Sequence, residues 1–347
     1  RNGVLIKGGV YLEALGRLHA VAFDKTGTLT KGKPEVTDIA SLNRNMDEND
    51  ILQIALAIEK NSEHPLASAI VRRAQQKGVK RLETKHFQAI TGKGAKAELN
   101  GTVFYIGNLT LIEPLITVPL NVREQILTLQ KEGKTVMVVA TNEALIGLIA
   151  VADQVRRQSS SVIKRLYDLG IKKTIMLTGD NEATGKAISK KLGLNEARTE
   201  LLPEDKLKTI QKLQKQYGNV AMVGDGINDA PALATATVGI AMGSAGTDAA
   251  LESADIALMG DNLEKLPYVI TLGRKALNVI KQNISFALGL KIIALLLVIP
   301  GWLTLWLAIV ADVGATLLVV LNSMRLVNEK NLKSEGKFNK PVPHTTL

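Results

Sequence analysis

The sequence predicts an α/β fold: a parallel-sheet domain, a smaller α+β domain inserted into it, and a C-terminal pair of membrane-crossing helices. Three observations carry this. Apolar strands at 19–23, 173–177 and 220–223 each run into a polar loop that bears an aspartate. Helical patterns at 159–169 and 182–192 lie between strands, the alternation that builds parallel sheets. After Gln282 the chain turns apolar for two helix-length stretches.

At 347 residues there is room for two or three domains. The net charge is +10, yet aromatics are only 3% and no basic patch interleaves with them, so nucleic acid is not an expected partner. Several basic residues instead flank the apolar region: Arg274, Lys275 and Lys281 before it, Arg325 and Lys330 after it. There is no cysteine, which excludes a disulfide scaffold and suits a reducing compartment. No signal peptide is evident, and Arg1-Asn2-Gly3 lacks an initiator Met, so a fragment or processed chain is expected. Residues 328–347 are polar, with Lys and Pro, and read as a mobile tail.

The first strand ends in Asp24-Lys25-Thr26-Gly27-Thr28-Leu29-Thr30. An aspartate at a strand mouth, followed by small and hydroxyl-bearing residues, suits a carboxylate nucleophile that accepts a phosphoryl group. Gly and Thr let backbone N–H groups and a hydroxyl approach phosphate oxygens. D-K-T-G-T-L-T resembles the phosphorylation site of the P-type ATPases, cation pumps that run through an aspartyl-phosphate.

The second and third strands end in Thr178-Gly179-Asp180 and Gly224-Asp225-Gly226-Ile227-Asn228-Asp229. Ligands bind beyond the carboxyl ends of parallel strands, so Asp24, Thr178 and Asp225 are expected to meet. Two close carboxylates repel unless a cation neutralises them, and Mg²⁺ is the expected one. Thr178 and Gly179 can hydrogen-bond a transferring phosphoryl group. Lys206, in L-P-E-D-K, is a candidate for stabilising its charge. Taken alone, Lys206 reads as a solvated helix lysine; its match to the family by position gives it the catalytic role.

The resemblance implies more. It makes the core a haloacid-dehalogenase-like phosphorylation domain, here 1–33 and 146–270. Asp24, Asp225 and the Thr26 carbonyl become Mg²⁺ ligands, with Asn228 and Asp229 ordering the metal loop. Asp153 and Arg156 resemble the hinge to the inserted domain, with a plain i, i+3 ion pair as the alternative.

The inserted domain spans 34–145 by the change of pattern. Helices at 50–60 and 66–77 precede short strands, and Asn100-Gly101 marks a hairpin. Ser62-Glu63-His64-Pro65-Leu66 would ordinarily hold a capping or core histidine. S-E-H-P-L resembles the heavy-metal branch of the family, where Glu and His hold the adenine of ATP. Gly92-Lys93-Gly94 and Tyr105-Ile106-Gly107-Asn108 match the rest of that pocket. The resemblance therefore implies ATP contacts at Glu63, His64, Gly92, Gly94, Gly107 and Asn108.

Spans at 283–299 and 302–321 are broken by Pro300-Gly301. The flanking basic residues place both ends in the cytoplasm, which makes this a membrane protein surrounded by lipid, with cytoplasmic catalytic domains. A buried soluble hairpin is the alternative. Lys291 and Asp312 each lie about ten residues from the turn, roughly 15 Å down the hairpin. Intramembrane charges usually pair, so a Lys291–Asp312 pair is expected, with Asp312 able to exchange the lysine for a transported divalent cation. N-I-S-F-A-L-G-L-K and A-D-V-G-A-T resemble the last two helices of zinc/cadmium/lead-exporting pumps. The Tyr-Asn and Met-x-x-Ser-Ser motifs of copper pumps and the His-Glu-Gly motif of cobalt-type pumps are absent here. So are the family's actuator T-G-E loop, earlier membrane helices and Cys-Pro-Cys site, which makes a missing N-terminal part of the pump an expected partner. The reading is the catalytic and C-terminal part of an ATP-driven heavy-metal exporter. A copper or cobalt pump fragment, a soluble phosphatase of the same core, and a regulatory nucleotide binder are the alternatives.

Overall fold

The computed structural model describes residues 3–225, 229–243, 252–302 and 304–326. The chain opens with β1 (Val4–Ile6), α1 (Gly9–Gly16) and β2 (Ala20–Asp24). Next come β3 (Thr30–Ser41), α2 (Glu48–Glu59), α3 (Pro65–Gln76), β4 (Lys85–Ile90), β5 (Gly94–Leu99) and β6 (Thr102–Gly107). α4 (Leu109–Ile112), α5 (Leu120–Lys131), β7 (Thr135–Ala140) and β8 (Leu145–Val155) follow. Then α6 (Ser159–Asp168), β9 (Lys173–Leu177), α7 (Glu182–Leu192), β10 (Glu196–Arg198), α8 (Pro203–Tyr217) and β11 (Val220–Gly224) alternate. α9 (Ala230–Thr235), β12 (Val238–Gly243), β13 (Ile256–Met259), α10 (Lys265–Val298) and α11 (Leu305–Met324) complete the described chain.

Two compact units result: residues up to 5 with 19–265, and residues 6–18 with those from 266 onward. The first holds two sheets. One has strand order β1-β13-β12-β11-β2-β9-β10, with β2, β9, β11 and their further neighbours parallel. Every residue of β2 and β11 is buried, as parallel strands covered on both faces require.

The second sheet, order β3-β8-β7-β6-β5-β4, is antiparallel. α2 and α3 pack with Ile106, Val139 and Ile149, while α4 and α5 join the cluster around Val138 and Leu148. Asp47 caps α2 by accepting from Asn49 and Asp50 N–H groups, and Asp50 reciprocates to Asp47 N–H. Asn100 and Gly101 have φ of 49° and 84°, the double left-handed turn of a tight hairpin. β3 and β8 pair from Thr30↔Val155 to Ser41↔Gly147. This one long ribbon joins the catalytic loop to the second sheet, so the expected boundaries at 33/34 and 145/146 fall inside β3 and β8.

In the second unit α1 meets α10 at two glycines. A Cβ on Gly16 would lie 2.7 Å from Gly273 O, and one on Gly273 would lie 2.6 Å from Leu12 O. This contact groups residues 6–18 with the C-terminal helices, whereas the sequence pattern assigned them to the phosphorylation domain. α10 begins well before the expected span, at Lys265, and its first turns bury Leu266, Val269 and Ile270. α10 and α11 are each long and apolar enough to cross a membrane. The expected tail at 328–347, Lys330 and Asn228 lie outside the described residues.

Candidate active site

β2 hydrogen-bonds to β9 on one side and β11 on the other. The register sets Asp24 opposite Leu177 and Phe23 opposite Val223. The next residues along the neighbouring strands are Thr178 and, past Gly224, Asp225. Strand pairing therefore delivers all three to one sheet edge, beyond the carboxyl ends of the strands.

α8 brings in a fourth group. Pro203 occupies its first turn, and Asp205 accepts the Leu202 N–H at 3.3 Å. Lys206 follows, and its Nζ donates to Asp24 Oδ1 at 2.5 Å and to Asp229 Oδ1 at 2.7 Å. Asp24 is only 5% exposed and Asp229 1%. Burial, then the charge of Asp229, push the Asp24 carboxyl up to about 7, with Lys206 opposing. Burial favours neutral Lys206, but the charges of Asp24 and Asp229 outweigh it and hold the ammonium above the usual lysine range. Asp229 is also raised, by burial first, against the pull of Lys206. The Asp225 backbone N–H also supports this carboxylate, and among the described residues its Oδ2 is buried without a side-chain hydrogen-bond partner.

Counting charges decides what else fits. Asp24, Asp225 and Asp229 act on one another, and one lysine neutralises them only in part. A surplus of negative charge, with a buried carboxylate oxygen that no described side chain satisfies, fits a divalent cation. Among the described residues no three His, Cys, Asp or Glu side chains converge on one point. Mg²⁺ does not need that, since it is held by one or two carboxylates, other oxygens and retained waters.

The loop after Asp24 is held at several points along its length. Gly27 has φ of +77°, open to glycine at little cost, and a Cβ there would lie 3.4 Å from Asp225 Cβ. Arg156 donates to Gly27 O at 2.8 Å and to Thr30 O at 2.8 Å. Ser159 Oγ donates to Leu29 O at 2.8 Å. Asp153 accepts from Thr30 Oγ1 at 2.6 Å and from the N–H groups of Gly32 and Lys33. The alternative of a simple Asp153–Arg156 ion pair is thus corrected: Asp153 is committed to the Thr30–Lys33 segment, and Arg156 to Gly27, Thr30 and Asp261.

The motif reading missed one network. Lys25 Nζ pairs with Asp180 Oδ2, and Thr135 Oγ1 donates to Asp180 Oδ1 at 2.9 Å. Burial acts to raise Asp180, but the Lys25 charge and hydrogen bonds from Lys25, Thr135 and Thr178 win and hold it below the usual carboxylate range. Lys25 and Asp180 sit in motifs already singled out, so their strand-end positions were a usable signal. Thr135 carried none.

The nucleotide segments face this corner. His64 caps α3, its Nδ1 accepting the Leu66 N–H at 3.2 Å, and its ring is exposed. It lies within electrostatic reach of Asp180 and Lys25. Glu63 is exposed, whereas Glu59 on α2 is buried. Gly92, Gly94, Gly107 and Asn108 form one corner of the second sheet. Asn108 Oδ1 accepts the Leu111 N–H at 3.1 Å, and its Nδ2 donates to Gly92 O at 3.0 Å. A Cβ on Gly94 would lie 2.1 Å from Ile106 O, and one on Gly107 would lie 2.1 Å from Lys93 O. The sheet's own backbone therefore requires both glycines, a reason the sequence reading had given to the nucleotide. A Cβ on Gly92 would meet Leu202 at 3.2 Å, four residues before Lys206.

The expected Lys291–Asp312 pair is corrected. Both side chains are exposed, and among the described residues they form no ion pair. Half-buried residues recur at spacings of three and four, as Ala287, Leu290, Ala294 and Leu297 on α10 and Ala308, Ala311, Ala315 and Val319 on α11. Lys291 and Asp312 lie one residue past Leu290 and Ala311, about 100° round each helix. Among the described residues, Asn283 ties the two helices by polar contacts, bonded to Asn322 at 2.8 Å and Ser323 at 2.9 Å.

An aspartate and a threonine at adjacent parallel strand ends, with a helix lysine bonded to the aspartate, define a phosphoryl-handling α/β core. The chain belongs to the haloacid dehalogenase-like hydrolase family, which matches residues 18–237. Within it, the relatives are heavy-metal P-type ATPases. A cadmium-transporting ATPase of Staphylococcus aureus is 55% identical over 335 residues, 95% of this chain and 46% of its own length. A zinc-transporting PIB-type ATPase in its E2.Pi state matches with a TM-score of 0.66 and 45% identity, over 94% of this chain and 53% of that one. The catalytic domain of a CPx-ATPase, solved for its conformational changes upon nucleotide binding, matches at 0.60 and 32% identity, over 77% and 94%. The chain spans about half the length of the full-length relatives it matches.

Proposed function

We propose that this chain is the ATP-binding, phosphorylated and C-terminal membrane part of a pump that exports a divalent heavy-metal cation of the zinc, cadmium and lead class. The carrying observation is Asp24, buried at a strand mouth, hydrogen-bonded to Lys206 and flanked by Thr178 and Asp225. An Asp24 oxygen attacks the γ-phosphorus of ATP. The bond to the β–γ bridging oxygen breaks, and ADP leaves with that electron pair. The product is an acyl phosphate on Asp24.

Lys206 changes partners in this scheme, from the resting carboxylate to the oxygens of the transferring group, and stabilises their charge. Thr178 and Gly179 hydrogen-bond the same oxygens. Asp24, Asp225 and the Thr26 carbonyl would hold Mg²⁺, which when bound neutralises phosphate charge and so lets a carboxylate approach. His64 stacks on the adenine, with Glu63 beside its exocyclic amine. Gly92, Gly94, Gly107 and Asn108 shape the opposite wall of the pocket.

α10 and α11 cross the bilayer with both ends cytoplasmic, in contact with lipid and with earlier helices of the complete pump. Asp312, turned away from the hairpin seam, is placed to meet those helices and to ligate the transported cation, with Lys291 on the other helix as a counter-charge. The actuator domain and a soft-metal cysteine site belong to the N-terminal part. Metal-stimulated ATPase assays on the complete protein test the reading. Stimulation by Zn²⁺ and Cd²⁺, lost in Asp24→Asn, supports it; stimulation by monovalent copper alone moves the assignment to copper export.

A further inference from the structure

We infer that Thr135 is a positioning residue for phosphoryl transfer: its hydroxyl ties the docked nucleotide-binding domain to the Asp180–Lys25 pair, and so sets the loop that carries Asp24. The inference rests on the reading of Asp24 as the phosphorylated residue.

The turn at 132–135 joins α5 to β7 and is pressed onto α7. Gly133 has φ of +84°, and a Cβ there would lie 3.3 Å from Ile188. The fully buried Thr184 donates its Oγ1 to Lys134 O at 2.8 Å. Lys134 Nζ in turn reaches Asp38 at 2.8 Å and Glu132 at 2.7 Å, fixing the turn within its own domain. Thr135 is therefore delivered to Asp180 by a rigid support on both sides.

Asp180 is held differently. Its N–H binds Thr178 Oγ1 at 3.1 Å, and its carbonyl accepts the Glu200 N–H at 2.8 Å. The backbone is fixed, so the carboxylate's rotation remains to be set. Thr135 binds one oxygen at 2.9 Å and leaves the other to Lys25, and the Thr178 hydroxyl also reaches the carboxylate from the side of the parallel-sheet domain, so Thr135 is the partner that the inserted domain supplies. Both charged side chains are only 11% exposed, where a carboxylate oxygen without a partner is costly. Lys25 is the residue after Asp24. Orienting Asp180 fixes Lys25, and Lys25 fixes the strand mouth. Opening of the two domains breaks the Thr135 bond, so the loop is fully set only when the nucleotide is brought up to it.

Thr135→Val keeps the shape and removes the hydroxyl; Thr135→Ser keeps the hydroxyl. In the complete protein, single-turnover phosphorylation at saturating ATP is expected to slow about tenfold in Thr135→Val, the loss of a hydrogen bond to a charged group. Thr135→Ser is expected near the unsubstituted rate, and the affinity for a non-hydrolysable ATP analogue is expected within about twofold in both. An unchanged rate in Thr135→Val overturns the inference. So does equal slowing in Val and Ser, which assigns the effect to packing. If the unsubstituted protein takes no label, or Asp24→Asn keeps it, the reading of Asp24 fails first and the inference falls with it.

Discussion

Two pairs of opposite charge in this chain have opposite fates. Lys206 and Asp24 stand 182 residues apart and meet at 2.5 Å with both side chains nearly buried. Lys291 and Asp312 lie on consecutive helices and are exposed, with no ion pair between them among the described residues. The difference is geometric. Register in a parallel sheet fixes where every strand mouth falls, so loops after β2, β9 and β11 converge whatever lies between them, and α8, which leads into β11, starts beside the same edge with Lys206 in its first turns. In a helical hairpin, distance from the turn fixes depth alone. Facing also depends on helical phase, and a shift of one residue turns a side chain out of the seam.

The largest expected effect bears on the buried pair. Lys206→Ala leaves Asp24 and Asp229 without their shared cation and should slow phosphoenzyme formation by about 10²–10³, while Lys291→Ala leaves that rate alone. Rapid-quench labelling compares them, and equal rates would erase the contrast.

Glu59 sharpens it, because it is 6% exposed and has the Ser62 hydroxyl rather than a cation. Burial raises its pKa from 4.5 to about 7. Between those values the folded chain keeps a proton that the unfolded chain has released. Stability from this group is complete below pH 4.5 and is lost as pH rises through about 7. Glu59→Gln should therefore stabilise at pH 8 by about 3 kcal/mol and by little at pH 4. Denaturant titrations at both pH values measure this; a pH-independent difference contradicts it.

A smaller effect is expected at His64. Its ring caps α3 with one nitrogen and exposes the rest, so His64→Ala should weaken ATP binding about tenfold by loss of stacking while costing about 1 kcal/mol or less as a cap. Calorimetric titration with ATP decides; unchanged affinity removes His64 from the pocket. The smallest effect belongs to the hairpin. In a double-mutant cycle, Lys291→Ala and Asp312→Ala should add within about 0.5 kcal/mol in thermal unfolding, and a larger coupling would restore the pair.

Much of this was legible in the sequence, for physical reasons that differ by region. β9 and α7 have the bounds their patterns predict, 173–177 and 182–192, because a buried apolar run and a capped helix are local signals. Asn181 accepts the Thr184 N–H, and Gly193 ends the helix in the left-handed conformation. The long ribbon of β3 and β8 was not legible, since its pairing joins segments more than a hundred residues apart. Thr135 was invisible for the same reason: a threonine at a strand start says nothing until two domains dock. Gly94 and Gly107 were seen, but their cause lay in the crossing of two backbones.

The central claim is that three strand mouths converge so that one carboxylate is phosphorylated by ATP. Peptide mapping of the protein after brief exposure to γ-labelled ATP tests it most directly. The account predicts an acid-stable, hydroxylamine-labile label on the peptide holding Asp24, absent from Asp24→Asn. A label on another residue, or one that survives that substitution, contradicts it.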